Sequence, residues 1–225
     1  MTNTAEVKRS LGTSGLVLHN AALYDFTLWL LSLGREGTLR ERVLRLARLL
    51  PGEQVLDVGC GTGTLAIAAK RQVGTTGTVT GVDASPEMLA RARTKAGNAG
   101  VEIVFKNGLA EALPFPDAHF DVVLCTVMLH HLPAGARRQC GREIRRVLRP
   151  GGRVLAVDFG ASQKRGIVAH FHRHGHISLS EMVSIFSECG LSIVESGAVG
   201  ISDLQFALAS HVTVISDSST QGWNS

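Results

Sequence analysis

The sequence predicts an α/β protein, a mostly parallel sheet with helices on both faces. Three observations carry that prediction. Short apolar, β-branched runs alternate with helix-length segments between residues 54 and 159. The first of these runs opens directly onto glycines at alternate positions. After residue 178, a helical pattern is followed by two strand patterns with no helix between them. At 225 residues and 44% hydrophobic content, the chain suits one well-buried domain rather than two.

Residues 1 to about 18 are rich in Thr, Ser and Gly without a sustained period and read as flexible. Ala21 to Leu33 reads as a helix closed by Gly34, and its Tyr24, Phe26 and Trp29 are candidates for a lid or for packing on the sheet. A second helix is expected from Thr38 to Leu50, with Leu39, Val43, Leu46 and Leu50 apolar and Arg40, Arg42, Arg45 and Arg48 largely in water. Pro51-Gly52 closes it. Gln54 to Val58 has the length and branching of a buried parallel strand, and Thr62 to Arg71 reads as the helix after its glycines. Thr78 to Asp83 is the next strand, and the helix running to about Ala99 has Ser85 as cap and Pro86 in its first turn. Val101 to Lys106, Phe120 to Cys125 and Arg153 to Phe159 are further strands, with Leu109 to Ala118 a proline-containing loop. Ala136 to Leu148 is a helix, and Pro150-Gly151-Gly152 suits a turn with positive φ at its third position. Ser178-x-x-Glu181 is a capping box opening a helix to Cys189-Gly190. Leu191 to Val199 and Asp203 to Ala209 then form an antiparallel hairpin on the sheet, and His211 to Ser225 is expected to fray.

The formal charge of +4, from 23 basic and 19 acidic residues, does not by itself indicate nucleic acid, because much of it sits on two arginine-rich helices with apolar opposite faces. Cysteines 60, 125, 140 and 189 form no C-x-x-C pair, which argues against a disulfide framework or structural zinc and for free thiols in a reducing compartment. The first residues lack the features of a signal peptide, and Ala21 to Leu33 is too short for a bilayer and carries Asp25. A cytoplasmic protein with no membrane span is expected.

The chemistry is concentrated at Val55-Leu56-Asp57-Val58-Gly59-Cys60-Gly61-Thr62-Gly63. Glycines there permit positive φ and close backbone approach, and the N–H groups at the helix start attract an electron-rich ligand. Asp83 ends the next strand twenty residues beyond Gly63, where a carboxylate can accept ribose hydroxyls. A nicotinamide dinucleotide and S-adenosylmethionine both present the adenosine this requires. The glycine spacing departs from G-x-G-x-x-G, and Asp57 would repel a pyrophosphate while suiting an ammonium and a sulfonium.

Three further motifs follow: Glu111-Ala-Leu-Pro-Phe-Pro-Asp-Ala-His-Phe-Asp121, Met128-Leu129-His130-His131-Leu132, and Arg145-Arg-Val-Leu-Arg-Pro-Gly-Gly-Arg153 leading to Asp158. With them, the stretch from Val55 to Asp158 resembles the class I S-adenosylmethionine-dependent methyltransferases, in the group of ubiquinone/menaquinone C-methyltransferase-like small-molecule enzymes. The resemblance implies a Rossmann-like seven-stranded sheet in order 3-2-1-4-5-7-6 with strand 7 antiparallel. It divides the chain into an N-terminal helical extension or lid (1–50), an S-adenosylmethionine-binding domain (51–210) and a flexible tail (211–225). It also implies that Gly59, Gly61 and Gly63 lie against the methionine and ribose of the cofactor, that Asp57 reaches its amino group through water, that Asp83 holds the ribose and that Met88 packs near the adenine. Cys60, Ala84, Leu109, Ala110 and Cys125 complete the implied cofactor set. The group usually has Gly-Asp-Ala where this chain has Gly108-Leu109-Ala110, so an acceptor for the adenine amino group is missing.

Methyl transfer asks mainly for alignment and exclusion of water. A base is needed only where the acceptor must lose a proton, and His130 and His131 are candidates for that role, for shaping the methionine pocket, or for packing. His170-Phe-His172-Arg-His174-Gly-His176 reads as a polar loop or as substrate contact, with His174 as a possible base, and no metal is assigned to it. Tyr24, Trp29, His130, His170 and His172 are the substrate-side candidates. The expected partner is a small-molecule methyl acceptor, with S-adenosylhomocysteine as product and nucleic acid unfavoured. Cys125-Thr-Val-Met128 stands where base-amine methyltransferases carry Asn/Asp-Pro-Pro-Tyr. Open alternatives are a methyltransferase of RNA, lipid or protein using Arg137, Arg138, Arg142 and Arg145, and a cofactor-binding scaffold or non-methylating enzyme on the same fold.

Overall fold

The computed structural model describes residues 36–160 and 176–212. The expected helix at 21–33 with Tyr24 and Trp29, histidines 170, 172 and 174, and the tail from 213 lie outside the described residues. In chain order the elements are α1 (Glu36–Ala47), β1 (Gln54–Val58), α2 (Thr64–Val73), β2 (Thr78–Asp83), α3 (Pro86–Asn98), β3 (Val104–Asn107), β4 (Phe120–Thr126), a 3-10 turn (Leu129–His131), α4 (Ala134–Val147), β5 (Leu148–Phe159), α5 (Leu179–Glu188), β6 (Ser192–Ala198) and β7 (Leu204–Ser210).

The strands form one seven-stranded sheet in the order β3-β2-β1-β4-β5-β7-β6. The first five pair in parallel, and β7 runs antiparallel to both β5 and β6. This is the order the resemblance implies. Because side chains alternate along each strand, the sheet feeds two apolar layers. Val55, Leu124, Leu155 and Val157 pack with α1, α2 and α3. Leu56, Val58, Val123 and Ala156 pack with Cys140, Ile144 and Val147 of α4 and Met182, Ile185 and Phe186 of α5. The two faces of one strand thus serve different helices, which is why the strands read as continuous apolar runs.

Several boundaries differ from expectation. Helix α1 stops at Ala47 rather than Leu50. Arg48 leaves the helix at φ 53, and Arg153 of β5 donates to the carbonyl oxygens of Ala47 (2.8 Å) and Arg48 (2.6 Å). Arg153 is itself paired with Glu53 at 2.7 Å, so a distant cation closes the helix and leaves Leu50 60% exposed instead of apolar-facing. Strand β3 begins at Val104, where pairing with Thr80 starts. Strand β5 begins at Leu148 and runs through Pro150-Gly151-Gly152, with the positive φ at Gly151. Gly151 donates to the His211 carbonyl (2.7 Å) and His211 donates back to Gly152 (2.8 Å). His211 is buried rather than frayed, with its ring Nδ1 3.2 Å from the Leu148 carbonyl. Among the described residues no helix is long and apolar enough to cross a membrane.

Candidate active site

The site gathers where the carboxyl ends of β1, β2, β4 and β5 meet the loops that follow them, as expected of a doubly wound sheet. After β1 the chain turns through Gly59, Gly61 and Gly63 at φ 69, 52 and 76, values a residue with a Cβ adopts only under strain. A Cβ on Gly63 would also lie 2.9 Å from the Phe105 ring and 3.0 Å from Ala92. The loop hangs from β2: the N–H groups of Gly59 and Cys60 both donate to the Val82 carbonyl, at 2.8 and 3.0 Å. Lys95 of α3 braces its far side by donating to the Thr62 hydroxyl at 2.7 Å.

Asp83 is the clasp of this loop. Its Oδ2 accepts from the Gly61 N–H and its Oδ1 from the Ser85 N–H, both at 2.8 Å. Ser85 separately caps α3 by accepting from the Met88 N–H, so the two side chains divide the work of capping and loop holding. Each carboxylate oxygen retains a second lone pair for a ligand hydroxyl. Burial raises the Asp83 pKa, and the two backbone donors offset part of that rise.

Asp57 is in a different state. It is 1% exposed, and neither carboxylate oxygen has a hydrogen-bond partner. The Ala66 N–H in the first turn of α2 is close enough to favour the charge slightly, without forming a hydrogen bond of regular geometry. Burial, and then the nearby Asp83 charge, push its pKa up to about 7. A buried carboxylate without a donor is costly and calls for a missing cation or water-borne donor.

At the other end of the site, β4 ends in a sharp turn. Val127 holds φ 52, an unusual conformation for a β-branched residue, while its N–H donates to the Val157 carbonyl at 2.7 Å. That bend sends Met128 to His131 back over the sheet ends. His130 is buried, with Nδ1 2.6 Å from Asp158 Oδ1 and its backbone N–H donating to Asp158 Oδ2 at 3.1 Å. His131 is half-buried and lies against it, ring centroids 3.9 Å apart. Arg137 of α4 fixes the turn by donating from Nε to the carbonyl oxygens of Leu129 (3.0 Å) and Leu132 (2.8 Å), and from a terminal nitrogen to Glu181 of α5 (2.8 Å).

The structure therefore brings together Asp57, Gly59, Cys60, Gly61, Gly63 and Asp83 as one cradle, and sets His130 and His131 at the end of β4. Met88 is buried at the start of α3, Ala84 is half-buried beside Asp83, and Leu109 and Ala110 are half-buried in the loop after β3. The Cys125 thiol is buried in the same apolar layer as Cys140 of α4, which leaves its backbone for any ligand contact. Burial likewise raises the Cys60 thiol pKa. Asp158 was not anticipated as a site residue. Its signal is an acidic residue at the end of the apolar run Val154-Leu-Ala-Val157, but its partner lies twenty-eight residues away and is set by the pairing of β4 with β5.

These residues fit S-adenosylmethionine: a donorless carboxylate for a cationic end, a glycine loop free of side chains, and a second carboxylate with spare acceptor capacity. A family profile described as a methyltransferase domain matches residues 55–152. The chain is 39% identical to a ubiquinone/menaquinone biosynthesis C-methyltransferase of Bdellovibrio bacteriovorus over 62% of its length, and 43% identical to a 27-O-demethylrifamycin SV methyltransferase of Amycolatopsis mediterranei over 51%. It spans 58% and 43% of the lengths of those two relatives. Among solved structures, the YcgJ protein of Bacillus subtilis is 32% identical, with 72% of each chain covered and a TM-score of 0.61. Glycine cradle, paired carboxylates, sheet order and these likenesses agree: the chain belongs to the S-adenosylmethionine-dependent methyltransferase family.

Proposed function

We propose that this chain transfers a methyl group from S-adenosylmethionine to a small-molecule acceptor. The observation that carries the reading is the contrast between two carboxylates beside one glycine loop. Asp83 is satisfied by Gly61 and Ser85, while Asp57 is buried without a donor. Asp83 would accept the ribose hydroxyls, and the Gly59 to Gly63 loop would lie against the methionine and ribose. Asp57 would meet the amino group through water, with Met88, Ala84, Leu109 and Ala110 around the adenine. The bound cofactor supplies a methyl already activated by its sulfonium. What remains for the chain is to align the acceptor, exclude water and accept a proton where the acceptor carries one.

The curated relatives act on a quinone-pathway carbon and on a rifamycin oxygen by their names, which supports a small organic acceptor here. Tyr24, Trp29 and the histidines 170, 172 and 174 are proposed to contribute to the acceptor side. The free state of the described cysteines favours a reducing compartment such as the cytoplasm. The test is tritiated methyl transfer from S-adenosylmethionine into an extract fractionated as small metabolites, lipid, RNA and protein. Label in the small-metabolite fraction is expected, and label confined to RNA or protein would overturn the reading.

A further inference from the structure

Asp57 and Asp83 stand beside the same glycine loop with unequal supplies of donors. Asp83 receives the Gly61 and Ser85 N–H groups, both at 2.8 Å. Both oxygens of Asp57 are buried without a hydrogen-bond partner, the Ala66 N–H alone lying near enough to favour its charge. Across the sheet Asp57 is flanked by Gly81 of β2 and Leu124 of β4, neither of which has a polar side chain to offer. Of two carboxyls that repel one another, the one with donors keeps the charge and the one without keeps the proton.

No cation among the described residues offsets this, since the charge acting on Asp57 is that of Asp83. The Cys60 thiol in the loop, its pKa raised by burial, and the fully buried Cys125 thiol on β4 carry no charge at neutral pH. The cations of the helices bond elsewhere. Lys70 of α2 donates to the carbonyl oxygens of Gly74 (2.9 Å) and Gly77 (2.7 Å), and Lys95 of α3 to the hydroxyls of Thr62 (2.7 Å) and Thr64 (3.3 Å). Arg93 of α3 donates to the Phe105 carbonyl at 2.9 Å, and His130 beyond β4 pairs with Asp158 at 2.6 Å.

We propose that the empty cradle holds Asp57 as the neutral acid, and that the ammonium group of S-adenosylmethionine, on binding, drives the Asp57 proton into solution. This rests on the methyltransferase reading and adds to it that cofactor and proton compete for one carboxyl. The carboxyl O–H bond breaks, its electron pair stays on oxygen and the proton passes to the buffer. The ligand keeps its own ammonium protons, so the charge left on Asp57 balances the one that arrives. Burial, and then Asp83, push the Asp57 pKa up to about 7, so affinity falls as pH drops below that value. Between pH 5.5 and 7.0 the fall should be ~10-fold. The ligand's amino group, ordinarily titrating near ~8, stays protonated throughout that window.

Isothermal titration at pH 6 in phosphate and in imidazole, buffers that differ in enthalpy of ionisation, counts the protons released. About one proton per ligand is expected for S-adenosylmethionine and equally for S-adenosylhomocysteine, since both carry the ammonium. None is expected for 5′-methylthioadenosine, which has the same adenosine without it. Asp57→Asn should bind S-adenosylmethionine more weakly, release no proton, and vary in affinity by less than ~2-fold from pH 5.5 to 7.0. Heat independent of buffer in the wild-type chain, undiminished release in Asp57→Asn, or equal release with 5′-methylthioadenosine would overturn the proposal. Carbon-13 NMR of the aspartate-labelled chain reads the same group without the variant's affinity. The carboxyl signal that Asp57→Asn removes should be that of the acid in the empty chain at pH 6 and of the carboxylate in the loaded one. A carboxylate in both would overturn the proposal. Failure of the methyltransferase reading is distinct, and would appear as a folded chain that binds none of the three compounds.

Discussion

Replacing Asp57 with Asn is expected to stabilise the free protein in alkaline solution while weakening its ligand. In the folded chain this carboxyl is pushed up to about 7, against 3.8 as its ordinary value, because it is buried beside Asp83 with only the Ala66 N–H near enough to favour its charge. A folded-state pKa above the unfolded one means that ionisation opposes folding. The penalty is absent below about pH 4, where both states are protonated, grows as pH rises, and is complete above about 7. At ~1.4 kcal/mol for each unit of displacement, the full penalty approaches ~4 kcal/mol. The charge acting on the carboxyl is that of Asp83, which opposes ionisation, and no cation among the described residues offsets it. Asparagine, near in shape to the protonated acid, removes the titration. Urea unfolding of both proteins at pH 5 and pH 8 should show the variant gaining by a few kcal/mol on moving to pH 8. The same difference at both pH values would refute the claim that Asp57 is an unsatisfied buried carboxylate.

Asp83→Ala removes the acceptor of the Gly61 and Ser85 N–H groups and should weaken S-adenosylmethionine binding ~10- to 100-fold by calorimetry, an unchanged Kd counting against the ribose role. Leu109→Asp restores an acceptor in the loop after β3 and should tighten S-adenosylmethionine ~5-fold, about 1 kcal/mol, with a smaller effect on an analogue lacking the adenine amino group. Gly141→Val drives a Cβ to 2.7 Å from Ile185 Cγ2 and 3.1 Å from Cys189 Sγ where α4 crosses α5. Urea unfolding should show it less stable by ~1–3 kcal/mol with ligand affinity retained, and wild-type stability would contradict the close helix contact.

The sheet and cradle were largely legible because their signals are local. Thr78 to Asp83 is bounded as read, Ser85 caps α3 through Met88, and Ser178 caps α5 through Glu181. The second half of that capping box is absent as a pair, since Glu181 instead meets Arg137 of α4. What stayed hidden depends on residues far apart in the chain. The end of α1 is set by Arg153, more than a hundred residues on. The early start of β5 and the burial of His211 are set by their mutual hydrogen bonds across the sheet end. The unsatisfied state of Asp57 follows from burial, which the motif alone does not give, and the Asp158 contact to His130 follows from the register of β4 on β5.

The central claim is that the loop from Gly59 to Gly63, with Asp57 and Asp83, is a cradle for S-adenosylmethionine. Isothermal titration of the chain with S-adenosylmethionine and with S-adenosylhomocysteine tests it without knowledge of the acceptor. Saturable binding of both, one per chain, weakened in Asp57→Asn and Asp83→Ala, is the predicted result. A folded chain that releases no heat and shows no binding of either compound would contradict the account.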